Sequence, residues 1–77
     1  MKTLHLDLTH WQAHLILEAL TELDAQWAYI CQTSTDEDVV ADYGNDLIEL
    51  RTTLGEAKTK ALEVFGPGVI NFDRTPL

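Results

Sequence analysis

Residues 36–68, DEDVVADYGNDLIELRTTLGEAKTKALEVFGPG, carry the strongest periodic signal in the chain and decide its fold. Val40, Tyr43, Leu47, Leu50, Leu54, Ala57, Ala61 and Val64 recur at alternating spacings of 3 and 4 residues, an uninterrupted heptad stripe. A stripe of that period stays on one side of a helix and needs an apolar partner along its whole length. The spacing predicts a helix over 36–65. Asp36, Glu37 and Asp38 suit the positive end of its dipole, Gly66 is placed as a C-terminal cap, and Pro67 prevents continuation. Gly44 and Gly55 each cost about 1 kcal/mol against alanine in a helix interior. If the helix breaks, Tyr43-Gly44-Asn45 is the expected place.

The partner stripe lies upstream. Ala13, Ile16, Leu20, Leu23, Trp27 and Ile30 repeat the same 3 and 4 spacing, which predicts a helix over 9–31 and puts these six on its seam. Thr9 reads as its N-cap and Gln12 as the reciprocal member of a capping box, with Leu8 as the apolar residue before the cap. Gln32-Thr33-Ser34-Thr35 breaks the pattern, and either Ser34 with Glu37 or Thr35 with Asp38 can cap the second helix. Two long helices so closely joined must run antiparallel.

Outside the hairpin, Leu4, Leu6 and Leu8 alternate with Thr3, His5 and Asp7, a period of two that predicts a strand over 3–8. Val69-Ile70-Asn71-Phe72 predicts a second strand over 69–73. The two segments leave the same end of the hairpin and are expected to pair antiparallel. The fold class is therefore mainly α: a helical hairpin with short terminal β-strands, in a single domain spanning 1–77.

Size and charge bound the function. A chain of 77 residues buries only about 60% of the surface its unfolded form exposes, so a stable monomer is marginal without a staple or self-association. Cys31 is the single cysteine, which removes an intramolecular disulfide, and its place near the seam reads as a small core residue. Five basic residues against 13 acidic ones give a net charge of −8, too few scattered cations for a nucleic-acid stripe or an anionic membrane. A hydrophobic content of 45% is too high for an acidic disordered tail. No apolar run approaches a membrane span, and Met1-Lys2-Thr3-Leu4-His5-Leu6-Asp7 lacks the apolar core of a secretory signal, so a cytoplasmic location is expected.

Three surfaces are candidates for function. Trp11, Leu15 and Tyr29 on the first helix, with Ile48 and Leu62 on a flank of the second that also holds Gly44 and Gly55, lie off the seam. Large apolar groups on a second side of a small hairpin are expected either to be covered by the terminal segments or to pair two hairpins into a four-helix-bundle homodimer or bind another protein. Asp38, Asp42, Asp46, Glu49, Glu56 and Glu63 fall in a sector of roughly 100° with Lys60 among them. Such a row is ordinarily the solvated face of an amphipathic helix. In size and charge alone the chain resembles the small acidic nucleic-acid-mimic inhibitors encoded by phages, which would imply a basic groove as partner. His10 and His14, one turn apart, have the spacing of a metal-binding pair, with Asp7, His5 or Glu18 as third ligand. Trp11 stands where a zinc protease needs glutamate, so a surface pair without metal is preferred and no cofactor is expected. With no Gly-rich phosphate loop ahead of a helix and no walled carboxylate pair, the expected role is non-enzymatic protein interaction.

Overall fold

The first helix begins where local chemistry says it should. In the computed structural model, which describes residues 1–73, α1 spans His10–Thr33 and α2 spans Glu37–Phe65. The Gln12 N–H donates to Thr9 Oγ1 at 3.2 Å and the Thr9 N–H donates to Gln12 Oε1 at 3.0 Å, closing the capping box. Neither Ser34 nor Thr35 caps α2. Asp36 does, its Oδ1 accepting from the N–H groups of Asp38 and Val39 at 2.9 and 3.4 Å. Ser34 instead terminates α1, its own N–H bonding the Ile30 carbonyl while its Oγ accepts from the Asp36 N–H. A carboxylate at the N-cap adds charge to the cap bond, which a hydroxyl does not.

The helices run antiparallel, as three cross-links between them show. Trp27 meets Tyr43 edge-on with ring centroids 5.9 Å apart, Arg51 donates to both carboxylate oxygens of Asp24 at 2.9 and 3.3 Å, and Ala13 shares a core cluster with Ala61. The hydrogen bond and the charge of Asp24 hold the Arg51 pKa above its ordinary value, so this guanidinium stays cationic throughout the range in which the protein is folded. α2 passes through Gly44 and Gly55 without a break.

The seam is rotated from the heptad reading. Leu17, which that reading leaves out, is the most deeply buried residue of α1 at 2% exposure, whereas Ile16 is 39% exposed. Val64, the last residue of the α2 stripe, is also exposed, while Leu47, Leu50 and Ala61 are buried. The cause is a third element. Pro67–Ile70 forms a 3-10 helix that lies against both long helices and inserts Val69, at 0% exposure, beside Ala13, Leu17 and Ala61. Each helix therefore turns its most apolar edge toward a three-way junction and not toward its neighbour alone.

No strand forms among the described residues, which corrects the expectation of paired strands at 3–8 and 69–73. Gly66 takes φ 81 and ψ −178, a conformation open to glycine, and turns the chain so that Pro67 can start the 3-10 helix. The Val69 and Asn71 N–H groups are then used on the carbonyls of Gly66 and Gly68, and the Val69 carbonyl accepts from His14 Nδ1–H at 3.0 Å. The groups a β-ladder would need are spent inside this turn, and residues 1–8 remain an extended arm with only Leu8 packed on the core. Residues 74–77 of the single domain lie outside the described residues.

Glycine substitutions separate these roles. Gly66→Ala is expected to destabilise by about 1–3 kcal/mol through backbone strain alone, since no atom lies within 4 Å of the added Cβ. Gly44→Ala and Gly55→Ala, equally free of neighbours but helical, are expected to stabilise by about 0.5–1 kcal/mol each. Urea denaturation of the three variants checks the opposite signs.

Candidate interaction surface

Two helices side by side make one layer with two broad faces. The chain measures 43 × 40 × 14 Å, so its thickness is about that of a single helix with side chains. Its radius of gyration is 14.8 Å, against about 11.5 Å for a globular chain of this length. It exposes 6306 Å², where a folded monomer of 8.7 kDa exposes about 4,700 Å². Part of that excess is the extended arm, and the rest is the two uncovered faces.

The 3-10 helix divides the faces by character. On the face that carries it, α1 contributes Trp11, Ala25 and Tyr29, and α2 contributes Gly44, Ile48, Arg51, Gly55 and Leu62. Trp11, Leu15, Tyr29 and Ile48 are between 58% and 71% exposed, but they do not form one patch. Trp11 begins α1, Leu15 turns to its outer edge, and Tyr29 lies near its far end, some 18 residues or about 27 Å from Trp11. Leu62 departs from the off-seam expectation: it is half-buried and packs against the cluster that contains Val69. Between the Tyr29 end and the 3-10 helix lies a depression of about 440 Å³ bordered by Thr21, Asp24, Ala25, Lys58, Ile70 and Phe72.

The opposite face is open along its length. Ile16, Leu20, Leu23, Trp27 and Ile30 of α1 all project within about 40° of its normal, an apolar row that helix 2 only half covers. These are the residues whose period suggested the seam. On the same face α2 presents Asp42, Asp46 and Glu49, while Asp38, Glu56 and Glu63 turn toward the outer edge; all six carboxylates are exposed. At the end nearest the arm the face dips into a cavity of about 360 Å³ bordered by Leu6, Ile16, Ala57, Lys60, Val64 and Phe65.

The two imidazoles are built into the fold and are not a bare surface pair. His14 uses Nδ1–H on the Val69 carbonyl, a bond that places the proton on that nitrogen because a carbonyl can only accept, and its ring tilts against Phe72 at 5.3 Å. His10 is sandwiched edge-on between Trp11 and Phe65, at 5.1 and 5.5 Å. Among the described residues, no three His, Cys, Asp or Glu side chains come together as a metal-binding group. His14 is thus the residue whose role the sequence concealed: it pins the 3-10 helix, a long-range bond between residues 55 apart that no spacing rule contains. Cys31 is half-buried, its S–H directed at the Val40 carbonyl at 3.9 Å.

Comparison with protein families, curated proteins and solved structures found no match to the chain. Among the described residues, no helix is long and apolar enough to cross a membrane.

Proposed function

We propose that the chain is a small, acidic, non-enzymatic interaction protein that self-associates as a homodimer and binds a protein partner. The observation that carries this reading is the surplus of surface: about 1,600 Å² beyond that of a globular monomer of the same mass, on a layer 14 Å thick. A standard interface removes about 800 Å² from each partner, so the surplus is large enough to supply one even after the arm is allowed for. The face that carries the 3-10 helix is the proposed self-association surface, through Trp11, Leu15, Tyr29 and Ile48. Gly44 and Gly55 have no neighbour within 4 Å of a Cβ position, so a second copy's backbone can approach there closely. A two-fold axis running across the helices would set Ile70 and Phe72 of one copy over the Gly44–Ile48 end of the other, closing the bundle isologously.

Sedimentation equilibrium or light scattering at micromolar concentration is expected to give about twice 8.7 kDa. Tyr29→Asp with Ile48→Asp is expected to return the mass to that of one chain. A wild-type monomer would remove the dimer from this reading. The acid-mimic reading rests on the exposed row of six carboxylates along α2 and concerns the other face.

A further inference from the structure

The open face is the part of the molecule that self-association does not account for. Its floor is the apolar row Ile16, Leu20, Leu23, Trp27 and Ile30, and one bank is the carboxylate row Asp42, Asp46 and Glu49 on α2. The floor is only half covered, and its depth ends in the cavity beside Val64 and Phe65. Its length suits a helix, since residues 16 to 30 of α1 cover about 21 Å, close to four turns.

The bank of charge selects the occupant. A second copy of this chain laid on the open face brings the same three carboxylates, on the same helix, against their equivalents, and like charges in an interface that loses its water are costly. Nucleic acid and anionic lipid are repelled by the same row. A helix with an apolar stripe flanked by Lys or Arg satisfies both parts of the surface at once: its stripe covers α1, and its cations reach across to Asp42, Asp46 and Glu49. Lys60 is the one cation on this face, and it stands at the cavity end, away from the three acids.

We infer that the open face is a docking groove for a cationic amphipathic helix of a partner protein, with the α1 apolar row as floor and Asp42, Asp46 and Glu49 as its charged bank. This rests on the interaction-protein reading but uses the opposite face from the proposed dimer contact, so the two can fail separately.

The test uses the full chain and three 18-residue peptides titrated by calorimetry: one with leucines on one helical face and lysines flanking them, one of identical composition with the leucines spread around the helix, and one with glutamate in place of lysine. The first is expected to bind with a micromolar Kd. The spread peptide is expected to bind at least tenfold more weakly, and the glutamate peptide not measurably. Asp42→Lys, Asp46→Lys and Glu49→Lys together should weaken the first peptide at least tenfold and admit the glutamate peptide. Leu23→Asp, with helicity confirmed by circular dichroism, should abolish binding of the first peptide. Equal binding of the spread peptide would show mere attraction between opposite charges and overturn the groove, as would indifference to the charge reversal. If Leu23→Asp halves the mass of the protein, the occupant is a second copy and the proposal is wrong. If the wild type is monomeric but still discriminates among the peptides, the dimer reading fails and the groove stands.

Discussion

Leu17→Ala is expected to leave the protein largely unfolded at room temperature, whereas Ile16→Ala, one residue away, is expected to leave it folded. Leu17 is buried at the junction of α1, α2 and the 3-10 helix, and removing its branched end opens a cavity that costs about 2–5 kcal/mol. Stability of about 0.05–0.15 kcal/mol per residue leaves a 77-residue chain little to lose. Ile16 is partly exposed on the open face, and its truncation should cost under about 1.5 kcal/mol. Thermal denaturation followed at 222 nm distinguishes them. If Ile16→Ala is the more damaging of the two, the seam lies where the simple heptad puts it and the three-way junction is wrong.

The second large effect concerns the terminal segments. Val69→Asp places a carboxylate where there is no exposure to water and no cation opposite, and is expected to destabilise by more than about 3 kcal/mol. Deleting residues 1–7, by contrast, should change the stability by less than about 1 kcal/mol, because Met1, Leu4 and Leu6 are exposed and the arm carries no backbone pairing to the rest of the fold. Paired strands would require the two ends to matter together. Equal damage from both changes, read by urea denaturation, would restore the strand pairing that the structure replaces with a 3-10 helix.

What the sequence revealed, and what it hid, divides by range. The capping box of Thr9 and Gln12 and the stop at Gly66-Pro67 are contained within four residues, and both are present. The antiparallel hairpin followed from two long stripes and a short connection. Which side of α1 faces inward did not follow, because Ala13 belongs equally to a stripe through Ile16 and to one through Leu17. Only the insertion of Val69 from the far end of the chain decides between them. Alternation at Leu4, Leu6 and Leu8 is the same in a paired strand and in a free extended arm, and the difference lies in whether Val69 and Asn71 have N–H groups to spare. The candidate surfaces fared likewise. The acidic row was legible as a helical sector, but the apolar row beside it on the open face was hidden by being read as seam, and the grip of His14 on the Val69 carbonyl has no local signature.

The clasp sits at one end only. Ala13, Leu17, Ala61 and Val69 knit the arm end of the hairpin through three elements, while the half near the interhelical turn is held by two helices, with Leu47, Leu50 and the Trp27–Tyr43 edge contact. Free energy for local opening is therefore unevenly distributed: the turn half can breathe while the clasped half keeps the register, so its amides are the less protected against hydrogen exchange. Asp42, Asp46, Trp27 and Ile30 all lie in that softer half. A recognition groove placed there can adjust its width to the helix it receives without unfolding the molecule, which gives a chain this small some tolerance in the sequences it accommodates.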